Sequence, residues 1–165
     1  MPSSSSSSAT SDPLNHLTAD PRERHKRLAE ALRETSIDVL LVHGESSTTP
    51  DLAALVGPVH LGESIVLVAR EGEVRLGYTT DMERDEAARV GVDLLRPADL
   101  GGGRPDTARA ASRLGALWCN ALDSLGVSPG RLALAGSGPA GDLVEAAADL
   151  AATGWQVVPG NALLR

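Results

Sequence analysis

Short apolar segments alternate with amphipathic helical segments along almost the whole chain, and this alternation constrains the fold more than any other feature. Apolar runs of strand length are typical of strands buried inside a sheet, and strands that alternate with helices form a layered α/β domain. We expect strands at 37–42, 64–69, 73–78, 92–95, 132–135 and 155–158. We expect helices at 21–35, 51–56, 81–90, 106–125 and 139–152. The sequence therefore predicts an α/β fold with a mixed, mostly parallel sheet, one antiparallel hairpin and helices on both faces.

The hairpin is predicted between the second and third strands. Only Arg70-Glu71-Gly72 separates the two apolar runs. Glycine supplies the positive φ angle that a tight turn needs, so the two strands are expected to pair antiparallel.

The composition argues against two classes of partner. The chain holds 15 Lys and Arg against 22 Asp and Glu, so its formal net charge is −7, and aromatic residues make up only 2%. An acidic surface repels phosphate backbones, and few aromatic rings are left to stack on bases. No apolar run approaches the ~20 residues that span a bilayer. We therefore expect no nucleic-acid partner and no membrane partner.

The chain is expected to hold one domain. Residues 1–19 are Ser-rich and lack the basic start and apolar middle of a secretory signal, which predicts a disordered tail. Residues 20–160 form the predicted domain, and 161–165 look like the start of a linker helix, so we expect further protein to follow. Cys119 is the single cysteine, which excludes an intrachain disulfide and fits a cytoplasmic location.

One glycine motif matches a nucleotide-binding pattern. Gly136, Gly138 and Gly141 follow a predicted strand and open a helix in the order G-x-G-x-x-G, as in the turn that holds the pyrophosphate of a dinucleotide. However, the strand that follows ends in Pro159-Gly160, where the acidic residue that binds the ribose is expected. We therefore favour a tight turn between strand and helix as the explanation of the glycines.

The sequence predicts no catalytic residue and no metal ligand. The four histidines (His16, His25, His43 and His60) do not pair at helical spacing, and there is no second cysteine. Ser64 lacks the flanking glycine of a hydrolase nucleophile elbow. The acidic residues after Thr80 are explained by the preference of carboxylates for the start of a helix.

The order of motifs resembles the amino-terminal domain of the creatinase, prolidase and aminopeptidase P family. The resemblance covers about 22–165 and depends on IDVLLV at 37–42, PDLAALVG at 50–57 and TTDMERDEA at 79–87. It implies a mixed sheet flanked by helices. It also implies that catalysis belongs to a separate carboxy-terminal domain with two divalent metal ions, so no cofactor is expected in this chain.

The resemblance implies a supporting function. The chain would be the non-catalytic amino-terminal domain of an Xaa-Pro peptidase-like metallohydrolase, giving dimer contacts and one wall of the substrate cleft. Its partners would be a second copy, forming a homodimer, and the carboxy-terminal catalytic domain. The cleft rim would include Asp51, Leu55 and Gly57. From the residues alone, His60 and Glu63 are candidates for the same rim, because they flank a loop that precedes a strand.

The sequence of one loop of this expected rim differs from the family pattern. The family often has P-D-x-x-Y-L-T-G-F, whereas this chain has Ala54, Val56 and Pro58 in place of the Tyr, Thr and Phe. Loss of both aromatic rings removes a large contact area from the expected substrate wall. Two alternatives therefore stay open at this point: a stand-alone interaction or dimerisation module, and a dinucleotide-binding protein that uses 136–141.

Overall fold

The computed structural model describes residues 20–101 and 110–165. The tail predicted at 1–19 and the first residues of the helix predicted from 106 lie outside the described residues. The helices are α1 (Pro21–Glu34), α2 (Pro50–Val56), α3 (Arg84–Ala88), α4 (Arg113–Ser124) and α5 (Ala140–Ala152). The strands are β1 (Val39–Gly44), β2 (Ser64–Ala69), β3 (Val74–Tyr78), β4 (Asp93–Leu95), β5 (Arg131–Gly136) and β6 (Gln156–Pro159). Two 3₁₀ turns span Asp81–Glu83 and Asn161–Leu164.

The six strands form one sheet in the order β4-β3-β2-β1-β5-β6. β2 pairs antiparallel with both β1 and β3, whereas the β1·β5, β3·β4 and β5·β6 pairings are parallel. Only β2 therefore runs against the other described strands. The predicted mixed, mostly parallel sheet with one hairpin is confirmed, and the hairpin turn closes where the Gly72 N–H donates to the Ala69 carbonyl at 2.8 Å.

Each face of the sheet is covered by a separate apolar layer, because successive side chains of a strand point to opposite faces. On one face, Val39 and Leu41 of β1 pack with α4 and α5 around the buried Trp118. On the other face, Leu40 and Val42 pack with α1, α2 and α3. The prediction of helices on both faces is confirmed.

The first helix begins where the sequence chemistry favours it. The Asp20 side chain accepts a hydrogen bond from the Arg22 N–H at 3.0 Å, and Pro21 occupies the first turn. The inner side of α1 buries Leu28, Ala29 and Leu32 against the sheet. None of the helices in the described part of the chain is long and apolar enough to cross a membrane.

Three predicted elements differ from the structure by more than one residue at a boundary. β1 lies at 39–44 and not at 37–42, because the ladder continues through His43 and Gly44 opposite β2. The helix predicted at 81–90 begins with the 3₁₀ turn and is α-helical only over 84–88. The helix predicted from 106 is not helical at 110–112, since Ser112 caps it and Arg113 is its first residue.

The last residues form the second 3₁₀ turn, where an α-helix was expected to start. Leu163 and Leu164 of this turn pack against the layer that contains α1 and α2. The turn is therefore part of the described domain, and its proposed role as the start of a linker stays a prediction.

Candidate functional site

A cleft opens at the edge of the sheet where β1 and β5 end. These strands are parallel neighbours, but the chain leaves β1 towards α2 on one face and leaves β5 towards α5 on the other. Open α/β sheets bind ligands at such points because the diverging connections leave a crevice. This β1–β5 cleft has a volume of about 360 Å³. Its charged and polar walls include His43, Glu63, Ser112, Arg113, Asp142 and Glu145.

The two strands approach closely at this edge because residue 136 is glycine. Gly136 has a φ of +116°, and a Cβ atom there would overlap the backbone carbonyl oxygen of His43. The backbone N–H of Ser137 donates to that oxygen at 2.9 Å. The Ser137 hydroxyl also hydrogen-bonds the Thr49 hydroxyl, so the start of the loop after β5 is held against the loop after β1.

His43 is the most deeply placed polar residue of the cleft, with 5% of its surface exposed. Its Nδ1 atom lies 3.2 Å from the Ser137 carbonyl oxygen. A carbonyl can only accept, so Nδ1 carries the hydrogen and donates it. In the neutral ring Nε2 is then an acceptor, and no described residue donates to it. The ring also packs edge-to-face on Trp118, with the centroids 5.6 Å apart.

Glu63 and Arg113 form an ion pair at the mouth of the cleft. Arg113 Nη2 lies 2.6 Å from each carboxylate oxygen of Glu63. Glu63 Oε1 is also 3.6 Å from His43 Nε2, which is too long for a hydrogen bond and is an ion pair only when the ring is protonated. When it is protonated, the His43 ring lowers the pKa of Glu63 to about 2 together with Arg113, against the opposing effect of burial. Glu63 is therefore a carboxylate at neutral pH.

A second carboxylate fixes the start of α4 and hence the position of Arg113. Asp149, in α5, accepts from the backbone N–H groups of Ala111 and Ser112 at 3.0 Å each. The Ser112 hydroxyl in turn accepts from the Gly115 N–H at 2.9 Å. Burial raises the pKa of Asp149, but the hydrogen bonds from Ser112 and Ala111 outweigh it and hold that pKa below its ordinary value.

Asp142 and Glu145 give the remaining wall of the cleft a negative charge. Both lie near the start of α5 and are exposed. Neither forms an ion pair with another described residue, although Asp142 raises the pKa of Arg113 through its charge, after the larger effect of Glu63. With Glu63 neutralised by Arg113, these two carboxylates leave the cleft with an excess of negative charge and of hydrogen-bond acceptors.

The five predicted rim residues do not all lie together. Glu63 lines the β1–β5 cleft, whereas Asp51 and Leu55 belong to α2 on the other face of the sheet, where Leu55 is fully buried. Gly57 ends α2 with a φ of +78°, and His60 is exposed in the loop that follows. Their role as the rim of a substrate cleft stays a prediction.

The glycine motif has a structural explanation at its first position. Gly136 permits the close approach to His43 described above. A Cβ atom added at Gly138 would be in ordinary contact with Leu143, and one added at Gly141 would meet open space. Dinucleotide binding at these residues stays untested.

No protein-family model matches the sequence, and no curated protein is significantly similar to it. Solved structures do match. The N-terminal domain of the cytoplasmic peptidase PepQ from Mycobacterium tuberculosis H37Rv is 16% identical with a TM-score of 0.57, over 86% of this chain and 95% of that one. An Xaa-Pro aminopeptidase from Streptococcus pyogenes is 15% identical with a TM-score of 0.58, over 88% and 98%. This chain has the fold of a creatinase/prolidase-like amino-terminal domain.

A full-length relative shows how much of such a protein this fold represents. The prolidase from Pyrococcus horikoshii OT3 is 15% identical with a TM-score of 0.51, over 87% of this chain. The match covers 34% of the prolidase chain, so this chain spans about a third of that protein. The resemblance expected from the sequence motifs is confirmed at the level of the creatinase/prolidase-like amino-terminal fold.

Within this fold, sequence reasoning missed most of the cleft. Arg113, Asp142 and Glu145 have no local motif that distinguishes them from ordinary charged residues at a helix start. His43 did offer a signal, since it is a polar residue at the carboxyl end of a buried strand, where α/β proteins place ligand-binding groups. Among the described residues no group of three His, Cys, Asp or Glu side chains is arranged to hold a metal ion.

Proposed function

We propose that this chain is the non-catalytic amino-terminal domain of an Xaa-Pro peptidase-like metallohydrolase. The observation that carries the proposal is the pattern of coverage: the fold matches almost all of an isolated N-terminal peptidase domain and only a third of a whole prolidase. In this proposal the two divalent metal ions and the reacting groups belong to a following carboxy-terminal domain, in a cytoplasmic enzyme.

Within such an enzyme the domain would provide contact surfaces and would not provide catalytic residues. The proposed contributions are one wall of the substrate cleft, with Asp51 and His60 on its rim, and contacts between two copies in a homodimer. Asp51 shares α2 with the fully buried Leu55, so the core fixes the position of the helix that carries Asp51.

The first experiment is the intact mass of the protein isolated from its source cells. We expect a mass more than twice the 17.0 kDa of this chain, together with hydrolysis of Xaa-Pro dipeptides that a chelator abolishes and a divalent metal restores. A mass near 17.0 kDa with no hydrolysis would contradict the proposal and favour a stand-alone interaction module.

The rim and the dimer are tested on the longer protein. Asp51→Asn and His60→Gln are expected to raise KM for a dipeptide and to leave kcat close to that of the wild type, because they act on binding alone. Glu30→Gln, on the exposed side of α1, is the matched control. Sedimentation should give twice the chain mass, and a monomer would refute the dimer contacts.

A further inference from the structure

The β1–β5 cleft contains carboxylates, which accept hydrogen bonds, in excess of the hydrogen-bond donors that line it. Arg113 neutralises Glu63, and the carboxylates of Asp142 and Glu145 remain without an ion pair among the described residues. Carboxylates are stabilised by positive charge and by donors, so an empty cleft of this composition favours a cationic donor.

A second and independent observation points to the same kind of ligand. His43 Nε2 is buried and receives no hydrogen bond from a described residue, and a buried polar atom without a partner costs free energy. Because Nδ1 donates to the Ser137 carbonyl, the neutral ring presents an acceptor at Nε2. Its neighbour at 3.6 Å, Glu63 Oε1, is also an acceptor, so the two atoms face each other with no donor between them.

We propose that the β1–β5 cleft binds the primary ammonium group of a small amine. An ammonium nitrogen can lie about 2.9 Å from both His43 Nε2 and Glu63 Oε1, since these atoms are only 3.6 Å apart. Its third hydrogen and its charge face the carboxylate wall of Asp142 and Glu145. The volume of about 360 Å³ suits a molecule of this size.

Arg113 occupies part of this place in the structure described here. Its guanidinium contacts both oxygens of Glu63, and its side chain is 50% exposed. The side chain can therefore rotate into solvent and release Glu63 to another cation. The Arg113 guanidinium binds the carboxylate that the ammonium group is proposed to bind, so the amine and the guanidinium compete for Glu63.

An anion is the main alternative, since α4 and α5 both begin at the cleft and helix starts attract negative charge. At the start of α4 the Ser112 hydroxyl already accepts from the Gly115 N–H, and Asp142 lies in the first turn of α5. The carboxylates of Asp142 and Glu145, which form no ion pair with another described residue, would repel an anion. The charge of the cleft therefore favours an amine.

The test is a titration of ¹⁵N-labelled protein with the diamine putrescine, followed by the backbone amides and the imidazole nitrogens of His43. We expect saturable shifts at His43 and at the starts of α4 and α5. Arg113→Gln should bind putrescine more tightly, by a factor on the order of three to ten, because it removes the competing cation. Glu63→Gln should weaken binding by about tenfold or more.

The controls separate an ammonium site from general electrostatic attraction. Tetramethylammonium carries the same charge without a donor and should give no saturable shift at His43, and Glu30→Gln should bind putrescine like the wild type. The double variant Asp142→Asn with Glu145→Gln changes only exposed side chains, so it should fold and bind more weakly. Circular dichroism checks each fold.

Two results would overturn the proposal. One is the absence of saturable shifts with putrescine at millimolar concentration in both the wild type and Arg113→Gln. The other is saturable binding of acetate or phosphate that Arg113→Gln abolishes, which would make the cleft an anion site. Either result would leave the accessory-domain function standing, because that function is judged by chain mass and metal-dependent hydrolysis.

Discussion

The carboxylate of Asp149 accepts a hydrogen bond from the Ser112 hydroxyl at 2.6 Å and thereby joins the second half of α5 to the residue that caps α4. The contact is close enough that a Cβ atom on Gly115 would overlap the Asp149 side chain. Glycine is normally unfavourable inside a helix, so its presence here is explained by the space that this carboxylate needs. The start of α4, which positions Arg113, depends on this pair.

Replacing Asp149 should lower stability. Asp149→Ala removes three hydrogen bonds, two of them from backbone N–H groups at a helix start, and should reduce the free energy of unfolding by about 1–3 kcal/mol. Asp149→Asn keeps one side-chain oxygen as a hydrogen-bond acceptor, so it should reduce the free energy of unfolding by less than Asp149→Ala does. Urea unfolding gives the values, with Glu30→Ala as the exposed control. Equal stability of Asp149→Ala and the control would show that the cap contributes nothing.

Replacement by alanine should have very different effects on stability at Gly136 and at Gly141. Gly136→Ala combines a φ of +116° with overlap of the His43 carbonyl and should cost about 3 kcal/mol or more. Gly141→Ala meets open space in the first turn of α5 and should be neutral or stabilise by up to about 1 kcal/mol. Thermal unfolding compares the two directly, and similar effects at both sites would contradict the close approach of β5 and β1.

Acid should weaken the fold through Glu63. The pKa of this carboxyl is lowered from 4.5 to about 2 in the folded chain, so the native state binds its proton less readily than the unfolded state does. The stabilisation is complete above about pH 4.5 and is lost as the pH falls towards 2. Glu63→Gln should show a smaller decline across this window in urea unfolding at several pH values, whereas Glu30→Gln should follow the wild type. An unchanged decline in Glu63→Gln would show that His43 and Arg113 do not stabilise the Glu63 carboxylate in solution.

The hydrogen of the neutral His43 ring should be on Nδ1. This follows from the Ser137 carbonyl oxygen at 3.2 Å, which can only accept. The nitrogen chemical shifts of the imidazole at neutral pH distinguish the two tautomers. A ring protonated on Nε2 alone would place the donor towards Glu63, and the acceptor pair on which amine binding depends would not exist.

The sheet could be predicted from the sequence because its determinants are local. Each strand is a short apolar run, and the Gly72 turn leaves β2 and β3 no other pairing than an antiparallel one. Boundaries that depend on distant residues could not be predicted in this way. Ser112 and Asp149 are 37 residues apart, so nothing near residue 106 indicated that α4 begins at Arg113.

The cleft was harder to predict for the same reason. Glu63 was selected because it precedes a strand in a loop, but its partner Arg113 is 50 residues away. His43 and Ser137 are 94 residues apart and meet only because β1 and β5 are parallel neighbours. Local sequence patterns show which helix or strand a residue belongs to. The order of the strands in the sheet decides which strand ends lie next to each other, and local patterns do not give that order.

The two edge strands of the sheet, β4 and β6, affect how copies of this chain can associate. β4 has only three residues, and β6 ends in Pro159, which has no N–H to donate to a further strand. Short borders and proline discourage strand-to-strand joining between molecules. A second copy of this chain would therefore associate through side chains of helices and loops and not through a continuous intermolecular sheet.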